Sequence, residues 1–218
     1  MALGKEATGL FTDIKKTGEC GEILLYAFTN SFLKIPQVLC KMPLKTSSHM
    51  HYHGVDGLHA KYDETTKQLL LYWGESKVHS KLATAMSSCF GSIKKMLIQD
   101  DSTGNPRERD LRLFRDHMDL ENKDLEGFVL EYLNPDSEKN LRLKHCGICL
   151  IGFDEEAYKK VTEDEIKSEL QAQISKWKES LKNNISKEKL ENYDIHVFLI
   201  PFPSAENFRA CFLKEVSG

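Results

Sequence analysis

The chain has 218 residues, 40% hydrophobic and 29% charged, with 30 Lys and Arg against 33 Asp and Glu. That balance describes an ordinary globular protein and excludes a polycation that coats nucleic acid through net charge alone. There is no apolar run of eighteen residues and no signal-peptide pattern at the start, so a cytoplasmic protein without a membrane segment is expected.

Residues 1–18 read as an irregular arm or a short strand. From Glu19 to Lys34, apolar Ile23, Leu24, Ala27, Phe28 and Phe32 recur at helical spacing, and Pro36 closes the segment. Glu22 falls in the first turn, where the helix dipole favours an acid. Gln37 to Lys45 reads as a strand broken by Pro43. His49, His51 and His53 then alternate onto one strand face, a row suited to zinc, to a DNA groove or to solvent.

The stretch from His51 to His79 reads as a hairpin reversing at Asp63-Glu64-Thr65-Thr66-Lys67. Side chains two apart share a strand face, so Glu75 and Lys77 project together and Ser76 points away. A turn about Thr65 sets Asp56 against Gly74 or Glu75, with Leu58, Ala60, Leu71 and Trp73 continuing the same face as core. Two carboxylates side by side repel unless a cation lies between them. Hard oxygen ligands suit magnesium, which takes one or two protein carboxylates and completes its shell with water and substrate phosphate. Lys77 is placed to hold the attacking water or to steady charge developing on a phosphate.

Beyond the hairpin, Leu82, Met86, Cys89, Phe90, Ile93, Met96 and Leu97 follow one helical face. Ser80 is a candidate N-cap, and the helix start beside it could receive a phosphate on its free N–H groups. His79, Lys81, Lys94 and Lys95 offer a local basic patch. Residues 100–135 read as a charged helical insertion, where Arg107, Arg109, Arg112 and Arg115 alternate with acids as on a solvated helix.

Lys144 to Phe153 reads as a buried strand carrying Cys146 and Cys149, a CxxC without the second pair that a zinc site needs. The six cysteines read as reduced core thiols. Thr162 and Glu165 form a capping box ahead of Ile166, Leu170, Ile174, Trp177, Leu181 and Ile185. Tyr193 to Pro201 reads as a further strand, so that strand, helix and strand imply a right-handed crossover. A last helix runs from Ala205 to Val216. The pattern gives one α/β or α+β domain over residues 1–218.

Asp56 with Glu75-Ser76-Lys77 resembles the signature of the PD-(D/E)xK nuclease superfamily, with Val55 where a proline is usual. More narrowly, Gly54-Val55-Asp56-Gly57-Leu58-His59 followed by Tyr72-Trp73-Gly74-Glu75-Ser76-Lys77 resembles the nuclease subunit of the Hachiman antiphage-defence system, the HamA type. The resemblance continues through the following helix and Ile200-Pro201-Phe202-Pro203. It implies a mixed central sheet flanked by helices and a magnesium-dependent deoxyribonuclease, with manganese able to substitute. It further implies Asp56, Glu75 and the Ser76 main-chain carbonyl as metal ligands, Glu22 as a helix acid approaching the metal, Lys77 as the residue that acts on the attacking water or the scissile phosphate, and a helicase as protein partner. His79, Ser80 and Lys81 are the candidate DNA contacts. The competing readings are a catalytically inactive adaptor that kept the nuclease fold, and a histidine-metal enzyme built on His49, His51 and His53.

Overall fold

The computed structural model describes residues 18–40, 55–98, 106–117 and 123–217. The expected arm before Gly18, the histidines at 49, 51 and 53, and the loop at 101–105 lie outside the described residues.

A five-stranded mixed sheet carries the fold, in the order β1 (Gln37–Cys40), β2 (Gly57–Asp63), β3 (Gln68–Val78), β4 (Leu143–Asp154) and β5 (Ile195–Phe202). β1, β2 and β3 are antiparallel neighbours, and β3, β4 and β5 are parallel ones. Among the described residues six α-helices flank it: α1 (Glu19–Phe28), α2 (Leu82–Leu97), α3 (Pro106–His117), α4 (Lys123–Leu133), α5 (Glu163–Lys187) and α6 (Ala205–Ser217).

The β2–β3 hairpin has the expected register. Gly57 pairs with Gly74 and Asp63 with Gln68. The turn is set by Asp63, whose Oδ1 accepts from the Thr65 N–H at 2.9 Å and whose Oδ2 accepts from the Thr66 hydroxyl at 2.7 Å. Lys67, with φ of 56°, completes it in the left-handed region.

Alternation splits the sheet into two apolar layers. One face carries Leu58, Ala60, Leu71, Trp73, Cys149 and Ile151, covered by Met86, Cys89, Phe90 and Ile93 of α2. The other carries Tyr72, Cys146, Ile148 and Leu150, covered by Leu25 of α1 and Ala205 of α6. Cys146 and Cys149 therefore lie on opposite faces of β4. They cannot share a metal or a disulfide, and burial pushes the Cys146 thiol up to about 11. Cys20, Cys89, Cys146 and Cys149 are buried as expected, whereas Cys211 is exposed.

Two local readings are corrected. Ser80 does not cap α2; Lys81 occupies the N-cap position without a side-chain cap, and the Ser80 carbonyl accepts from the Asp154 N–H at 3.3 Å. α3 is not a solvated helix: Phe114 and Asp110 are buried, and Arg107 is buried with Nη1 donating to the Leu97 carbonyl at 3.3 Å. Arg115 likewise donates to the Leu133 carbonyl at 3.1 Å. These arginines satisfy carbonyls left open at the ends of α2 and α4, where a cation also suits the helix dipole. α5 has the expected capping box at Thr162 and Glu165, yet no residue along it is fully buried. Its apolar stripe touches the core only partway, through Trp177 edge-on to Phe153 and through Leu181 and Ile185.

Candidate functional site

The second arm of the hairpin presents the charged centre. Glu75 and Ser76 are buried, 5% and 6% exposed, and Asp56 is 9% exposed at the threshold of β2. Lys77 Nζ donates to Glu75 Oε1 in a close ion pair and to the Ser76 carbonyl at 3.3 Å. Burial works to lower the Lys77 pKa. The Glu75 charge, its hydrogen bond and the charge of Asp56 outweigh burial and hold that pKa above the ordinary lysine value. α2 braces the centre from behind, with Cys89 Sγ donating to the Glu75 carbonyl at 3.5 Å.

Asp56 and Ser76 relate differently from the simple two-residue alternation. The Asp56 N–H donates to the Gly74 carbonyl at 2.9 Å, which ties its backbone to β3. Its Oδ2 then accepts from both the Ser76 N–H at 2.8 Å and the Ser76 hydroxyl at 2.7 Å. Ser76 does point away from Glu75 and Lys77, but it points to Asp56. The acid thus sits between the two faces of β3 rather than wholly on the side of Glu75. Two glycines make this approach feasible: a Cβ on Gly74 would stand 3.1 Å from the Gly57 carbonyl, and one on Gly21 of α1 would stand 3.0 Å from Ser76 Oγ.

On the α1 side of Asp56 opens a cleft of about 450 Å³. It is lined by Glu22, Ile23, Tyr26 and Asn30 from α1 and the turn that follows it, and by Pro36, Gln37 and Asp56. Glu22 and Asp56 therefore face one space, while Glu75 and Lys77 are not among its walls. Glu22, Tyr26 and Asn30 follow one another at every fourth residue, the spacing that lines up side chains along a helix. Asn30 stands in a π-helical turn, Thr29–Leu33, that ends at Lys34 with φ of 55°.

Past Lys77 the chain leaves the sheet through His79, whose N–H donates to the Gly152 carbonyl at 3.0 Å. Arg209 of α6 reaches across and donates through Nη2 to the Val78 carbonyl. Burial, then the charges of Arg209 and Lys77, lower the His79 pKa. Lys77 and Arg209 thus make a positive end to β3, with His79 held toward its neutral form between them, while Ser80 and Lys81 are exposed just beyond it. Arg209 was not legible in the sequence, because it comes from the far end of the chain with no motif around it.

Among the described residues no three His, Cys, Asp or Glu side chains are gathered as a metal cage. The donors on offer are two carboxylates and a main-chain carbonyl, with Glu22 across the cleft. An all-oxygen set of this size fits magnesium and not a closed zinc site.

A family model described as HamA matches residues 1–216, nearly the whole chain. No curated protein matches it.

Proposed function

Because this chain belongs to the HamA family, and so is a component of the Hachiman antiphage-defence system, we propose that it is a metal-dependent nuclease that hydrolyses DNA phosphodiester bonds under the control of a helicase partner. The observation that carries this reading is the buried pair Asp56 and Glu75, with Lys77 held against Glu75 and also responsive to the Asp56 charge. Burying two acids beside a half-buried ammonium is costly in folding energy. A catalytic use accounts for that cost.

Asp56, Glu75 and the Ser76 carbonyl would hold magnesium or manganese, with Glu22 approaching from α1. When bound, such an ion supplies Lewis acidity at a phosphoryl oxygen and lowers the pKa of water. Ser76 keeps the Asp56 carboxylate in one orientation. The Lys77 ammonium, released from Glu75, orients the attacking water or steadies the charge that grows on the phosphate oxygens. His79, Lys81 and Arg209 receive the neighbouring backbone phosphates, a local patch that offsets the chain's net charge of −3.

The test is cleavage of supercoiled and linear DNA in magnesium or manganese against chelator, with Lys77→Ala and Asp56→Ala as controls. Metal-dependent cutting abolished by either substitution is expected, with the helicase partner added if the protein alone is restrained. Absence of cutting even with that partner, or cutting that both variants retain, would remove the nuclease reading in favour of a non-catalytic adaptor.

A further inference from the structure

The cleft beside Asp56 has a composition that the phosphodiesterase reading does not use. Its walls combine an exposed aromatic ring, Tyr26, with two carboxamides, Asn30 and Gln37, and the apolar surfaces of Ile23 and Pro36. Its charged groups, Glu22 and Asp56, are both acids, which repel a phosphate and leave a neutral polar ring as the better occupant. A volume of about 450 Å³ lies in the range of sites that enclose a small organic ligand.

Two features behind Gln37, one of its lining residues, are unexplained by folding alone. Gln37 seats its amide over Gly57, with Nε2 2.6 Å from where a Cβ on Gly57 would begin, so only glycine leaves the amide that position. Next to it stands His59, which pairs with Gln37 across β1 and β2 and is 0% exposed. Its Nε2 lies 3.3 Å from the same point. Neither ring nitrogen has a hydrogen-bond partner among the described residues, although the Ile35 main chain lies close enough to favour the charged ring. A wholly buried polar ring without a partner is rare enough in folded proteins to require a reason.

We propose that this cleft receives an unpaired nucleobase of a DNA strand, stacked on Tyr26 with its edge read by Asn30 and Gln37, while the strand's phosphates stay outside the two acids. The inference rests on the nuclease reading for its substrate and deepens it: the strand engaged is single-stranded or locally opened. Aromatic stacking tolerates every base, and carboxamides offer both donor and acceptor to a base edge. A base flanking the scissile bond, taken out of its stack, is the arrangement that lets a protein reach a strand it cannot read inside a duplex.

Binding can be followed without cleavage. Full-length protein in chelator is titrated into a short single-stranded oligonucleotide carrying one 2-aminopurine, into the same oligonucleotide with an abasic site at that position, and into the matching duplex. The expected result is fluorescence quenching on binding, and affinity about tenfold weaker for the abasic strand and for the duplex. Tyr26→Ala should erase the difference between base and abasic strands, and Tyr26→Phe should restore it. Equal affinity for base and abasic strands, or a difference that survives Tyr26→Ala, overturns the proposal. The cleavage assay above separates the two readings. Cutting without base discrimination removes the base site and leaves the nuclease, and base discrimination without cutting does the reverse.

Discussion

Ser76 holds Asp56 from two directions at once, with its main-chain N–H and its hydroxyl converging on the same carboxylate oxygen. One residue therefore fixes both the position of the acid and its orientation. Hydrogen bonds to a charged acceptor contribute about 1.5–3 kcal/mol each. Ser76→Ala keeps the N–H bond and loses the hydroxyl bond, so it should lower unfolding free energy by about that amount and weaken metal affinity more than overall stability. Denaturant unfolding with and without magnesium measures both. Equal losses in the two conditions would show that Ser76 has no role beyond folding.

Lys77→Met leaves the Glu75 carboxylate buried without its ammonium. The cost should be about 1–3 kcal/mol, below that of a fully buried pair because Lys77 is 30% exposed. The pH dependence has a defined sign. The Lys77 pKa is raised in the fold, so its contribution is complete below the unfolded lysine value of about 10.4 and is lost as pH rises through the folded value. The stability gap between wild type and Lys77→Met should be constant near neutrality and close above that point, read from urea midpoints across the alkaline range.

Two buried histidines should govern acid stability. Burial lowers His59 to about 4; burial and then Arg107 lower His145 to about 4. His145 Nδ1 accepts from Trp73 Nε1 at 3.1 Å, which requires that nitrogen to be unprotonated. The unfolded chain takes up protons near pH 6.5 while the folded chain resists, so stability is complete above that value and falls as pH drops to about 4. Each histidine accounts for a few kcal/mol, on the order of the shift converted to free energy. Trp73 fluorescence should report the loss, and His145→Gln should flatten the slope.

Gly74→Ala should destabilise the protein by about 1–3 kcal/mol, because the added carbon meets the Gly57 carbonyl at 3.1 Å and a Leu25 methyl at 3.0 Å. The first obstacle is backbone and cannot rotate away. Thermal unfolding checks the size of the loss, and an unchanged midpoint would mean that the hairpin parts more easily than its packing implies.

Of the five described cysteines, Cys211 alone is exposed. A thiol reagent should modify it rapidly in the native protein and reach Cys146 and Cys149 only on unfolding. Cys211→Ser should remove that rapid phase, provided Cys40, outside this set, is replaced as well.

The hairpin register was legible to within one residue because Asp63 and the following threonines announce the turn, and the count outward from it sets Asp56 against Gly74 or Glu75; the pairing of Gly57 with Gly74 decides for Glu75. The α2 face was legible for the same reason of period: Met86, Cys89, Phe90, Ile93, Met96 and Leu97 are all buried as their spacing demands. Contacts made across the chain were not. Arg107 and Arg115 looked solvated because sequence shows a charge run but not the helix ends whose carbonyls receive it. Tyr26 and Asn30 were visible only as breaks in an apolar stripe, though their spacing from Glu22 could have been read as a second face. The Cys146 and Cys149 spacing is odd, and on a strand an odd spacing divides the faces.

β3 has two neighbours of different origin. β2 adjoins it through a four-residue turn, whereas β4 is contributed from far later in the chain, beyond α2, α3 and α4. Local closure is fast and long-range parallel pairing is slow. The hairpin that brings Asp56 and Glu75 together is therefore expected to close before β4 pairs with β3. On that expectation the two acids meet first at an open sheet edge, and the pairing of β4 with β3 is what later encloses that edge.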